Sequence, residues 1–266
     1  MKKLLVILAA GTLSYSANAQ ELTSKKGFPI LPEAGDWSIS FDAVPFLDFA
    51  FDKTRIMSAS SASSAGDALD YSISNNIVGK YMVDANKAYR GRLQLDFSRE
   101  SDKTYVPKNG STTGETVENT EATSSSNIAL GGGLQYYRGK GRLRGYYGGE
   151  GLLEIGSGPS KSYTYGNALD ANSEINFRNT EEKAGMSFGF GVRGFIGAEY
   201  FFAPKMSIGA EFGWGIGFKS TGDGEVTTES FDGTAVKSTT TKTGGNSKFN
   251  LGVDNAGGAI NLAIYF

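Results

Sequence analysis

A two-residue rhythm constrains this chain more than any other feature, and it recurs along the chain between connections that are alternately short and long. In "YRGRLQLDF" (89–97) the odd positions Tyr89, Gly91, Leu93, Leu95 and Phe97 suit an apolar contact. The even positions Arg90, Arg92, Gln94 and Asp96 call for water or an ionic partner. Such alternation marks a β-strand with two unlike faces. Seven further segments read the same way: 36–49, 76–84, 127–137, 142–155, 186–202, 205–218 and 248–266. The connections "ANK", "RGKG" and "AP" are tight, whereas four polar stretches of about 25 residues separate the other pairs. Connections that long are unusual in a compact domain, where the median is about 4–6 residues. Their strict alternation with tight turns places every long one at the same end of the sheet.

The next question is which face is inside. The polar faces collect Asp42, Asp48, Lys80, Arg90, Arg92, Asp96, Arg142, Arg144, Glu150, Glu154, Arg193, Glu199 and Glu211, six positive and seven negative charges. The opposite faces collect Trp37, Phe41, Leu93, Leu130, Phe188, Ile196, Phe212 and Trp214. Periodicity alone also allows a soluble barrel with the apolar set inside. Three features favour the inverted arrangement, in which the apolar face meets lipid and the charges point into the lumen. Aromatics (Trp37, Tyr81, Tyr89, Tyr136, Tyr147, Tyr200, Phe202) mark the strand ends, as in the girdles of membrane barrels. The segments are long enough for a tilted crossing of about 9–11 residues. The chain opens with a secretory signal and ends on an apolar-alternating strand.

That signal is "MKKLLVILAAGTLSYSANAQ": Lys2 and Lys3, an apolar core from Leu4 to Ala10, and Ala17 and Ala19 at the cleavage positions. It gives the expected organisation: signal peptide 1–19, a periplasmic N-terminal segment 20–35, and a barrel domain 36–266. Without Lys2 and Lys3 the chain keeps 24 basic against 28 acidic residues, which gives no support for nucleic-acid binding. Lipid excludes unpaired backbone polar groups, so strands can cross it only as a closed barrel. The expectation is an all-β, eight-stranded antiparallel up-and-down transmembrane β-barrel with four long extracellular loops and short periplasmic turns. The apolar phase slips late in the chain, from odd positions at Phe249, Leu251 and Val253 to even ones at Ile260, Leu262, Ile264 and Phe266. A bulge around Asn255 to Gly258 would re-phase the strand.

The phrases "KGFPILPEAGDWSISFD", "EYFFAPKMSIGAEFGWG" and "INLAIYF" resemble the small outer-membrane β-barrel proteins of Bacteroidota. More distantly, the chain resembles the eight-stranded barrels of the OmpA-transmembrane, OmpX and OmpW type. The resemblance implies a location in the cell outer membrane of a Gram-negative cell. It also implies contact with outer-membrane lipid and lipopolysaccharide, and recognition by the outer-membrane assembly machinery through Ile260, Leu262, Ile264 and Phe266.

Chemistry is sparsely represented. With neither His nor Cys, the chain lacks the commonest general base, any thiol chemistry and two common metal ligands. No catalytic, cofactor-binding or metal-binding residue is nominated. "GFGVRG" (Gly189, Gly191, Gly194) fits a dinucleotide fingerprint but lies in mid-strand, where that fingerprint has no use. "LDANSE" (Asp170, Asn172, Glu174) and "GDGE" (Asp223, Glu225) lack the full spacing of a calcium loop. Asn109-Gly110 and Asp232-Gly233 read as hairpin tips, which would make the second and fourth long connections β-ribbons. The functional expectation is a non-enzymatic structural or interaction barrel with a charge-plugged lumen, plausible as an accessory subunit of a larger outer-membrane complex. The alternatives are a passive channel for small, even apolar, molecules and a rim-active lipid-modifying enzyme.

Overall fold

Eleven strands make up the architecture, in a computed structural model that describes residues 22–42, 76–171, 173 and 175–266. In chain order they are β1 (Trp37–Asp42), β2 (Asn76–Asp84), β3 (Lys87–Pro107), β4 (Thr116–Arg138), β5 (Leu143–Thr164) and β6 (Phe177–Lys183). They continue as β7 (Met186–Ala203), β8 (Met206–Thr221), β9 (Gly224–Phe231), β10 (Val236–Thr243) and β11 (Asn246–Tyr265). No helix occurs among the described residues. The signal peptide, Asp48 and most of the first long connection lie outside the described residues, as do Asn172, Glu174 and the side chain of Asp42.

Eight of the strands close a ring. Each pairs antiparallel with the next in the order β1, β2, β3, β4, β5, β7, β8, β11, and β11 returns to β1 through Ser38↔Tyr265 to Asp42↔Asn261. The backbones of Trp37 and Phe266 exchange two hydrogen bonds of 2.9 Å each at the end of this seam. The phase slip in β11 is a register shift against β8, between Asp254 and Ala259.

Alternation decides the faces of the ring. On β7 every second residue from Ser187 to Phe195 is buried inside, while Phe188, Phe190, Val192 and Ile196 are exposed outside. The same inversion holds around the wall, with Ile39, Ile77, Leu95, Leu130, Leu153, Trp214 and Leu251 all exposed. The core of this fold is therefore polar and its coat apolar.

The second and fourth polar connections form β-ribbons around their expected turns, and the third, for which no strand was expected, carries β6. Between β3 and β4 only 108–115 is non-strand, because both strands run far beyond the ring. β6 leads into β7, β9 follows β8 and β10 leads into β11, each across two residues, so these strands prolong the barrel wall upward. The sheet order β10-β9-β6-β5-β4-β3 continues above the ring. Sequences such as "TVENTEATSSS" carry polar residues on both faces, because water bathes both sides there. With no apolar face, alternation has nothing to reveal. The expected tips Gly110 and Gly233 do sit at turns, with φ of 72° and 96°, a left-handed backbone that glycine adopts without strain.

The segment before β1 is more than a leader into the barrel. Ile30 is 1% exposed and packs with Met82, Ala88, Phe201 and Tyr265 across the short-turn end of the ring. Its carbonyl accepts from Lys205 N at 3.0 Å, and Lys205 Nζ pairs with Asp36 at 2.9 Å. The ring is lidded at that end.

Candidate functional site

The interior of the ring is the one place where charges from many strands converge. They stack in three layers. Lowest, above the Ile30 lid, Lys80 Nζ on β2 lies 3.2 Å from Glu199 Oε2 on β7. It donates to the hydroxyls of Tyr137 at 3.1 Å and Tyr265 at 3.0 Å, and both tyrosines donate onward to Glu199. Ser207 also donates to Glu199.

The middle layer sets three guanidiniums against two carboxylates. Arg90 grips Glu211 with two nitrogens, at 2.6 and 3.1 Å. Arg193 bridges Glu211 at 2.8 Å and Glu150 at 3.0 Å, and Arg92 reaches Glu150 at 2.8 Å. Tyr146 donates to Glu211 at 3.2 Å, and Phe195 lies under Arg90 with 4.3 Å between guanidinium carbon and ring centre. The top layer is the pair Lys219–Glu154 at 2.5 Å.

Glycines make room for this stack. A Cβ on Gly133 would run into the backbone of Gly149 and Glu150, and one on Gly197 into the Tyr146 ring. A Cβ on Gly148 would meet Leu134 backbone and Phe195. Close approach, not turn formation, is the reason for glycine at these positions. What remains empty between Lys80, Arg90, Gln135 and Glu199 is a cavity of about 20 Å³, the size of a single water site.

Of the nominated lumen charges, Lys80, Arg90, Arg92, Arg144, Glu150, Glu154, Arg193, Glu199 and Glu211 are all buried in the ring. Two are placed elsewhere. Arg142 lies in the turn before β5, half-buried, its carbonyl accepting from Phe201 N at 2.9 Å. Asp96 faces inward on β3 but is only half-buried, where the ring gives way to the ribbon. Arg144 also does more than line the lumen: it reaches down to bond the carbonyl of Ala85 and the side chain of Asn86 in the β2–β3 turn. Sequence reasoning missed Tyr137, Tyr265 and Ile30. Tyr137 and Tyr265 sit on inward parity beside outward Tyr136 and Phe266, a signal that was available. Ile30 lies among prolines in a stretch with no period.

The arrangement offers little to a substrate. Ser207 near Lys80 has the makings of a nucleophile set, but it is wholly buried and donates to a carboxylate. Gly189, Gly191 and Gly194 lie within β7 and open no helix. Asp223 Oδ1 accepts from Gly245 N at 2.9 Å, a turn contact. Among the described residues no group of three or more carboxylates is placed to hold a metal ion.

No protein-family profile matches the chain, and no curated protein matches it. Among solved structures, the crystal structure of the outer membrane protein OprG from Pseudomonas aeruginosa is similar over 89% of this chain and 98% of that one. The identity is 11% and the TM-score 0.33. At that distance the likeness bears on neither fold nor function.

Proposed function

We propose that this chain is a non-enzymatic transmembrane β-barrel of the outer membrane, closed along its axis, which holds its tall β-ribbons outside the cell as an interaction surface. The observation that carries this reading is the inversion: a ring of ion pairs buried inside a coat of large apolar side chains. In water such a coat would be an aggregation surface far beyond the few hundred Å² a soluble monomer tolerates. In lipid it is the required solvent-facing surface. From Phe188 to Tyr200 the outward face of β7 spans about 40 Å of strand. At a tilt of roughly 40° that gives about 30 Å of height, enough for an apolar band of about 25 Å with its aromatic girdle. Trp37, Tyr89, Tyr147, Tyr200 and Phe202 are exposed at the short-turn end, where such a girdle belongs.

Closure follows from filling. Eight strands leave a bore that side chains just fill, and the three ionic layers and the Ile30 lid occupy this one. A passive channel and a rim enzyme are weaker readings, because the filled interior and the sealed Ser207 give neither a path. The ribbons, polar on both faces, suit a protein partner, and a role as accessory subunit of a larger outer-membrane complex is the fullest form of the proposal. On this reading Ile264 and Phe266, exposed on the outer wall beside the seam, present the signal for the assembly machinery, with Ile260 and Leu262 on the same strand.

The test has two arms. The purified chain should require detergent for monodispersity and shift its gel mobility on boiling; full solubility without detergent would end the membrane reading. Planar-bilayer recordings should show no steady conductance, and regular channel steps would end the closed-lumen reading. Mild-detergent affinity purification should then bring down a stoichiometric partner bound through the ribbons.

A further inference from the structure

At the short-turn end the cations divide: Lys205 pairs with Asp36 at 2.9 Å, and others stand without a carboxylate. At the ribbon end Lys103, Lys108, Lys161, Arg178, Lys183 and Lys237 each pair with a carboxylate. At the short-turn end Lys87, Arg138 and Lys140 make no ion pair among the described residues. The acidic group nearest in sequence, Asp84, is turned back to accept from Asn86 N at 2.7 Å. Lys87 opens β3, Arg138 ends β4 and Lys140 lies in the turn that follows, below a platform of outward tyrosines on three neighbouring strands. Lys87 Nζ lies 5.9 Å from the ring centres of both Tyr89 and Tyr136, and Tyr136 stacks on Tyr147 at 5.7 Å. Arg138 donates to the Tyr147 hydroxyl at 3.2 Å.

One step up the same wall the coat of large side chains is interrupted. Gly149 on β5 and Gly194 on β7 are paired neighbours, directly above the pair Tyr147↔Ile196. With Gly151, Val192, Trp214 and Ile216 they line a groove of about 430 Å³ on the outer face. A Cβ on Gly194 would meet nothing nearer than 4.0 Å, and one on Gly151 nothing within 4 Å, so packing inside the barrel does not require glycine at either place.

We propose that this patch holds one anionic phospholipid of the leaflet on the short-turn side, with its phosphate at Arg138 and Lys140 and an acyl chain in the glycine groove. The charge complementarity fixes the occupant. Unpaired cations, a tyrosine platform at headgroup level and an apolar slot two residues above follow the order of parts in a phospholipid. Basic clusters at a membrane surface attract anionic headgroups on just this footing. The inference rests on the membrane reading above and goes beyond it by naming a lipid class and a seat.

The experiment uses the full chain in detergent, incubated with mixed micelles of phosphatidylglycerol or of phosphatidylcholine with the same acyl chains, and counts bound lipid by native mass spectrometry. One phosphatidylglycerol should stay bound under conditions that strip phosphatidylcholine. The variant R138Q/K140Q should bind it roughly thirtyfold more weakly at low ionic strength, the scale set by two surface cations. G194L, which fills the groove and keeps the charges, should weaken both lipids. Equal retention of the two lipids by the native chain, or undiminished phosphatidylglycerol on R138Q/K140Q, would overturn the proposal. So would a homodimer that G194L abolishes, which would give the groove to a second copy. Gel mobility on the same samples separates the two levels: a detergent-dependent barrel indifferent to lipid charge defeats only the lipid seat.

Discussion

Glu211 and Glu118 are both paired carboxylates on long strands, yet the molecule depends on them very differently. Glu211 is buried in the ring, where Arg90, Arg193 and Tyr146 all reach it. Glu118 lies on the ribbon part of β4, where Lys103 at 2.8 Å and the hydroxyl of Tyr105 at 3.2 Å meet it in open solvent. Burying an ion pair gains little over an apolar core, but removing one member leaves a stranded charge. At the surface the same pair is screened and each partner can turn to water. The interior pairs therefore commit the fold, whereas the ribbon pairs decorate it.

The largest expected effect tests this difference directly. Glu211→Ala should lower the unfolding free energy by about 3–5 kcal/mol, the cost of leaving a buried charge uncompensated, measured by urea titration in detergent. Glu118→Ala should leave the same transition unmoved. If the two variants behave alike, the contrast is broken. Next comes packing: Ile30→Ala should cost about 2–4 kcal/mol, and in bilayer recordings it should still admit no current, because the three ionic layers above it stay in place.

A pair of glycines sharpens the contrast by face rather than by height. Gly197→Ala drives a methyl into the Tyr146 ring and should cost about 1–3 kcal/mol through overpacking. Gly132→Ala, whose Cβ would meet nothing within 4 Å on the outer wall, should be neutral in the same titration.

The smallest effect belongs to a ribbon tip. The Asp232 carboxylate is held below its ordinary range, first by Lys237, then by the backbone N–H groups of Ala235 and Thr234 that it accepts from. A carboxylate so depressed lends order that is complete above its unfolded value of about 3.9 and lost as pH falls below it. The protection of the Thr234 and Ala235 amides, taken against the intrinsic exchange rate at each pH, should therefore fall as pH drops below that value while the barrel amides stay protected. Uniform loosening of both would show the tip and the ring to be one cooperative unit.

The ring was largely written in the sequence, because one face of each of its strands carries large apolar side chains and the other carries charge or tight packing. Tyr89, Leu93 and Phe97 against Arg90 and Arg92 gave the strand, while its inversion rested on the strand-end aromatics, the segment lengths and the leading signal. β6 was hidden for the opposite reason, and β10 was marked only by the Asp232-Gly233 turn before it. "FRNTEEK" and "VKSTTTKT" have water on each side, so strand and loop look alike in composition. Within the interior, the charges could be assigned by parity, but which partner each would find depended on the shear of the ring. Glu199 meets Lys80 from a strand 119 residues away, and no local pattern encodes that meeting. Arg142 stands just before β5 and half-buried, at the edge of the ring that alternation addressed.

The strand that opens the barrel and the strand that finishes it are laced together at Trp37 and Phe266, so the circle has no partial version. A nascent chain carrying seven of the eight staves would hold two raw edges and an exposed ionic heart, fit for neither water nor lipid. On the membrane reading proposed above, closing the wall and entering lipid would be one step, taken only when the last strand has arrived.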